Sequence, residues 1–210
     1  MPTKGIFIAI EGIDGSGKTS QAKRLYRYLM DNLAINTIYT REPGGTEVAE
    51  EIRETLLKFR DEAIEPNTEL MLFFAARKQN IKNIIDPALE RGDWVICDRF
   101  FESSYSYQVI GRGASEELYN QLCQHTVRRF PDLTIVIDID ERTRLERLAI
   151  RQDEINRLDL DESGFHQRTR FYLKEKAEER ADYQLVDGNG TQDEVFERII
   201  VTLRQLINLE

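Results

Sequence analysis

The sequence predicts an α/β fold built on a five-stranded parallel sheet with helices on both faces. Short apolar runs alternate with longer helical patterns along the 210 residues. These runs are apolar throughout rather than alternating with polar residues, as strands covered on both faces are. The first of them leads straight into a glycine loop that opens a helix, the start of a βαβ unit.

The first strand is Ile6–Ile10 (IFIAI), and the glycine loop hands it to a helix over Lys18–Asn32. The second strand, Thr37–Thr40, runs into Arg41-Glu42-Pro43-Gly44-Gly45, a turn sequence, and a helix over Thr46–Lys58 follows. The stretch Asn67–Arg91 reads as one long helix, and Trp94–Cys97 as the third strand. A helix over Glu116–Arg128 precedes the fourth strand, Leu133–Asp138. Helices over Glu141–Arg151 and Ser163–Glu179, a short strand Gln184–Val186 and a helix over Asp193–Asn208 complete the pattern. No repeat, low-complexity tract or linker divides the chain, so residues 1–210 are expected to form a single domain. The exception to regularity is Gln152–Asp161 (QDEINRLDLD). This charged stretch suits either a solvated helix connection or a lid at about residues 151–162.

A net charge of −9 argues against nucleic-acid binding, because phosphate backbones want basic faces. An anionic substrate would need a local arginine cluster to overcome that field. Two cysteines, Cys97 and Cys123, are too few for a disulfide framework. No secretory pattern or apolar run of membrane-spanning length is present, so a cytoplasmic protein without a membrane partner is expected.

Gly12-Ile13-Asp14-Gly15-Ser16-Gly17-Lys18-Thr19 satisfies G-x-x-x-x-G-K-[ST] between a strand and a helix, the context that makes the motif credible. Its glycines let successive N–H groups converge on phosphate oxygens, and the helix amino terminus adds favourable partial charge. Lys18 is expected to reach the β- and γ-phosphates of a nucleoside triphosphate, and the Thr19 hydroxyl to ligate Mg²⁺. Asp14 is the odd member. A carboxylate about 6 Å from a phosphate charge costs on the order of 3 kcal/mol at an effective dielectric near 20. It is therefore expected to face a hydroxyl or a cation, or to be a solvated or arginine-paired acid.

No N-K-x-D segment is present, which counts against a regulatory GTPase. Two strands end in aspartate, Asp98 and Asp138, and either could stand near the metal. Asp98 is favoured because Arg99 follows it at a strand's carboxyl end, where ligands bind in open α/β sheets. Arg41 is placed by its turn. Phe73 and Arg77 are i,i+4 neighbours on an unusually apolar helix. They read either as a nucleobase clamp or, on spacing alone more readily, as a core ring beside a surface arginine.

The segments Glu11–Thr19 (EGIDGSGKT), Arg41–Thr46 (REPGGT), Leu72–Arg77 (LFFAAR) and Asp98–Gln108 (DRFFESSYSYQ) resemble, in order, those of the thymidylate kinase family. The resemblance spans nearly the whole chain and implies a P-loop nucleoside monophosphate kinase fold that moves the γ-phosphoryl of ATP onto dTMP, with Mg²⁺, in a homodimer. It implies that Asp14 meets the 3′-hydroxyl of the deoxyribose, that Arg41 and Arg99 grip the acceptor phosphate, and that Asp98 lies near the metal and the attacking oxygen. Phe73 would stack on thymine, Arg77 bond its O4, Ser104 meet N3, and Tyr107 exclude a ribose 2′-hydroxyl with Gln108 nearby. The loop lacks an arginine, so the catalytic arginines would be Arg157 and Arg151 of the lid, as in bacterial-type members. Asn156 precedes Arg157 where the family often has aspartate, and Tyr105-Ser106 precedes Tyr107 where alanine is frequent. Two other readings share these residues: a kinase for another pyrimidine deoxynucleotide such as dUMP, and a nucleotide-binding protein without turnover.

Overall fold

The computed structural model describes residues 5–150 and 164–207. Five strands, β1 (Phe7–Glu11), β2 (Thr37–Arg41), β3 (Trp94–Asp98), β4 (Leu133–Asp138) and β5 (Tyr183–Asp187), form one sheet in the order β2-β3-β1-β4-β5. Every pairing is parallel. The helices are α1 (Lys18–Asp31), α2 (Glu47–Leu57), α3 (Pro66–Asn80), α4 (Asp86–Glu90), α5 (Phe101–Ser104), α6 (Glu116–Thr126), α7 (Glu141–Ile150), α8 (Phe165–Glu179) and α9 (Gln192–Ile207). This is the five-stranded parallel sheet with helices on both faces that the sequence predicts.

Alternation along the strands divides the core into two layers. Ile8 and Ile10 of β1 and Ile96 of β3 pack with Leu25 and Leu29 of α1 and Ile199 and Leu203 of α9. Phe7, Ala9, Val95 and Cys97 pack on the other face with Leu70 and Phe74 of α3. Asp98 therefore falls on the α1 face, and Glu11 on the α3 face. Thr46, Glu65 and Ser115 cap α2, α3 and α6 through their side chains. By contrast, α1 starts at Gly17, with φ 85° and no side-chain cap. Among the described residues no side chain caps its first N–H groups, the kind of helix start at which anions bind.

The long helix expected over Asn67–Arg91 is divided. Between α3 and α4 the residues Ile81–Ile85 make a wider π-type turn, in which the Asp86 N–H donates to Ile81 O. Pro87 has no N–H to continue an α ladder, which favours such a widening. A second wide turn, Tyr105–Gly111, extends α5 and was not anticipated as helix. The serines and aromatics of this segment are weak helix formers, and tertiary contacts hold it instead. Thr169 of α8, for example, donates to the Ser106 carbonyl at 3.3 Å.

Candidate active site

One cavity of about 1040 Å³ lies across the carboxyl ends of β1, β2 and β3. The phosphate loop forms its floor. A side chain at Gly12, with φ 150°, would meet Ile137 O at 2.7 Å, so the loop leaves β1 where only glycine fits. Gly15 and Gly17 are also at positive φ, and Ile13 is buried. Lys18 Nζ donates to Ile13 O at 3.3 Å and to Asp14 Oδ1 at 3.4 Å. Burial foremost, and then Arg99, push the Lys18 ammonium down. Thr19 Oγ1 donates to Asp98 Oδ2 at 2.5 Å. Asp98 Oδ1 and Ser16 Oγ are buried without a hydrogen-bond partner among the described residues. A hydroxyl and a carboxylate with one open oxygen make an all-oxygen donor set that suits Mg²⁺, which needs few protein ligands.

Arg99 joins this floor to the acceptor side. Its backbone is left-handed, φ 68°, which is uncommon for a side-chain-bearing residue and turns the guanidinium back over the loop. Nη1 donates to Gly12 O at 3.2 Å and Ser103 Oγ at 3.1 Å. Nη2 donates to Asp14 Oδ1 at 2.5 Å and to the Tyr107 hydroxyl at 3.3 Å. Tyr107 in turn donates to Asp14 Oδ2 at 3.1 Å. Asp14 is thus arginine-paired and still lines the cavity. Burial would raise its pKa, but Arg99 and Lys18 outweigh burial and hold the carboxyl well below its usual range. Beneath this network the buried Glu11 accepts from Phe100 N at 2.8 Å and Ser103 Oγ at 2.5 Å. Its carboxyl is pushed up to about 7, chiefly by burial.

Arg41 lies at the cavity wall and pairs with Glu50 at 2.8 Å. Arg53 of α2 lines the same wall, donates to Pro43 O at 2.9 Å and is pushed down to about 10 by burial and by Arg41. Opposite stand Phe73, Tyr107 and Gln108. Arg77 lies behind Phe73 and is not a surface arginine: it is 1% exposed. Nε donates to Glu42 Oε2 at 2.6 Å, and Nη2 to Phe100 O at 3.1 Å and Ser104 Oγ at 2.9 Å. Its guanidinium lies over the Phe74 ring at 4.5 Å. Among the described residues, one donor, Nη1, has no partner, and neither has Gln108 Oε1, whose amide nitrogen is held by Glu69 at 3.0 Å. Gln108 lines the cavity, whereas Arg77 and Ser104 are not among its lining residues.

Asp138, the other strand-end aspartate, is held by Arg170 through two bonds, at 2.5 and 2.9 Å, and so is committed elsewhere. Sequence reasoning passed over Arg147, which lines the cavity and donates to the carbonyls of Gly15, Ser16, Gly188 and Gly190. Its spacing of four from Arg151 on a helical pattern was the available signal. Arg53 and Tyr39 were passed over as well, and neither carries a motif of its own. Arg151, Arg157 and the expected lid lie outside the described residues.

A family model described as "Thymidylate kinase" matches residues 10–199. The chain is 42% identical over 205 residues to a thymidylate kinase of Marinomonas sp., covering 97% of this chain and 96% of that one. It is 40% identical over 210 residues to a thymidylate kinase of Pseudomonas syringae, covering 98% of each. A crystal structure of thymidylate kinase from Ehrlichia chaffeensis superposes with a TM-score of 0.77 at 31% identity, covering 95% of this chain and 98% of that one.

Proposed function

The chain belongs to the thymidylate kinase family and is an ATP-dependent phosphotransferase that makes dTDP from dTMP, and we propose that the cavity over the phosphate loop seats both nucleotides. The observation that carries this reading is the continuity of the cavity from the loop, through Arg99 and Asp14, to Phe73 and Gln108.

The triphosphate lies on the loop, with the first N–H groups of α1 and the Lys18 ammonium around its β- and γ-oxygens. Lys18 exchanges its bonds to Ile13 O and Asp14 for phosphate. Arg41, Arg53 and Arg99 converge on the acceptor phosphate, Arg41 by leaving Glu50. Asp14 and Tyr107 face the sugar: Asp14 accepts from the 3′-hydroxyl, and the Tyr107 ring occupies the space a ribose 2′-hydroxyl would need. Phe73 stacks the base, and Arg77 Nη1 with Ser104 and Gln108 reads its edge. Thr19 and Asp98 would hold Mg²⁺, which when bound would neutralise phosphate charge. Phosphoryl transfer asks little covalent chemistry of a protein; alignment and electrostatic stabilisation supply most of the rate. Arg157, assisted by Arg151, completes the charge around the transferring group.

A homodimer is part of the proposal, supported by the exposed Val48 on α2 and Met71 on α3. A cytoplasmic setting is supported by two unpaired thiols. Among the described residues, no helix is long and apolar enough to cross a membrane. A coupled assay of ADP release with dTMP, dUMP, dCMP and UMP tests the acceptor reading. dTMP is expected to give the highest kcat/KM, and a preference for UMP or dCMP would contradict the roles given to Tyr107 and Arg77.

A further inference from the structure

The roles above leave Glu11 and Ser103 unused, yet both are bonded to the segment that carries Arg99. Glu11 ends β1 and is 0% exposed. Its Oε1 accepts from Phe100 N at 2.8 Å and Ser103 N at 3.3 Å, and its Oε2 from the Ser103 hydroxyl at 2.5 Å. Phe100 N belongs to the peptide that follows Arg99, and the Arg99 N–H on the other side donates to Ile10 O at 2.9 Å. Both peptides that flank Arg99 are thus tied to the end of β1. That tie accounts for its left-handed backbone, φ 68°, which a residue with a side chain keeps only where its surroundings fix it. The same carboxylate governs the guanidinium. An ionised carboxylate only accepts, so the single Ser103 proton goes to Glu11 and the lone pairs of the hydroxyl are left for a donor. Arg99 Nη1 takes that place at 3.1 Å. Without Glu11 the Ser103 hydroxyl would be free to turn its proton into the cavity, which the residue lines.

We propose that Glu11 and Ser103 are positioning residues for Arg99, Glu11 setting its backbone and Ser103 its guanidinium, so that the arginine meets the acceptor phosphate already aimed. The inference rests on the assignment of Arg99 to that phosphate. It adds that the end of β1, as well as the phosphate loop and Asp14, aims the arginine.

The test is calorimetric binding of dTMP and of thymidine, which differ only in the phosphate, to the full-length enzyme at pH 8, above the Glu11 value of about 7. Ser103→Ala removes the hydroxyl and keeps the backbone bond to Glu11. It is expected to weaken dTMP about ten-fold, the low end for a hydrogen bond to a charged group, and to leave thymidine binding unchanged. Glu11→Gln has one acceptor oxygen for two positions and should weaken dTMP in the same selective way. Arg99→Met should reduce the preference for dTMP over thymidine further, and adding Ser103→Ala to it should cost nothing more. If Arg99→Met keeps the full preference for dTMP, the assignment of Arg99 to the acceptor phosphate itself fails. If Arg99→Met loses that preference while Ser103→Ala or Glu11→Gln keeps it, only the positioning role fails. Equal weakening of dTMP and thymidine would make the two residues a general support of the fold. A Ser103→Ala effect that persists beside Arg99→Met would put the hydroxyl on the phosphate itself. Either result overturns the proposal.

Discussion

The base end and the phosphate end of the cavity hold their arginines in opposite ways. Arg77 and Glu42 are paired at 2.6 Å with side chains 1% and 2% exposed, and Phe100 O and Ser104 occupy two more of its donor bonds. At the other end, Arg41 and Glu50 are paired with side chains 36% and 39% exposed, where an ion pair is worth about 0–1 kcal/mol. Lys18 rests at 3.4 Å from Asp14, and Arg147 is spread over backbone carbonyls. A buried pair is costly to break, whereas a half-exposed one is readily exchanged. The base end is therefore built before substrate arrives. At the phosphate end, Arg41 and Lys18 rest on internal partners that nucleotide phosphates displace, while Arg99 is held in a mostly buried network with Asp14.

This contrast can be broken most severely where the phosphate end is incomplete. The loop residues Ile13–Ser16 hold no arginine, and Arg147 is already engaged. Arg157→Ala is expected to lower kcat by about 10³–10⁵, the value of an arginine finger, with the dTMP dissociation constant nearly unchanged. Arg151→Ala should show a smaller effect of the same kind. Pre-steady-state and equilibrium measurements separate the two parameters, and turnover within a few-fold of wild type in the double variant would remove the lid arginines from the account.

Next in size is Arg77→Met, which strands Glu42 in the core. Urea unfolding should show a loss of about 3–5 kcal/mol, accompanied by a raised KM for dTMP. A variant that loses dTMP affinity at full stability would make Arg77 an exchangeable cation like Arg41.

The joint between the two ends carries its own signature. Glu11 has a folded pKa raised from 4.5 to about 7 by burial. The folded protein thus holds a proton that the unfolded chain releases, and this contribution to stability is full below pH 4.5 and lost as pH rises through about 7. The change is worth roughly 3 kcal/mol. Glu11→Gln should flatten the pH dependence of unfolding between those limits. An unchanged slope would mean that Glu11 is ionised in the folded state.

The smallest effect should be confined to function. Arg53→Met is expected to raise KM for dTMP roughly ten- to a hundred-fold, as loss of a charged hydrogen bond does, with KM for ATP and the unfolding free energy little changed. A large stability loss would move Arg53 into the same class as Arg77.

How much of this was legible in sequence follows from the range of each interaction. The loop is local, and its glycines and Lys18 announce it. The strands were legible as apolar runs, but the residues that end three of them, Glu11, Arg41 and Asp98, are polar and still in the ladder. An apolar criterion therefore cuts a strand one residue short at the point where it meets the site. Phe73 and Arg77 could be placed together by helical spacing. The partner that buries Arg77 is 35 residues away in the β2 turn, and no periodicity points to it. Asp14 meets Arg99 across 85 residues and could only be expected to find some cation or hydroxyl. The helix over Phe101–Gly111 was missed because its stability comes from α8, not from its own residues.

The most direct measurement of the central contrast is the NMR signal of the arginine Nε–H groups in the free and dTMP-bound enzyme. Arg77 is expected to show a slowly exchanging Nε–H in the free protein that hardly shifts on binding, because its bond to Glu42 is already made. Arg41 should change markedly as phosphate replaces Glu50. An Arg77 signal that exchanges freely with water until dTMP is added would contradict a prebuilt base end.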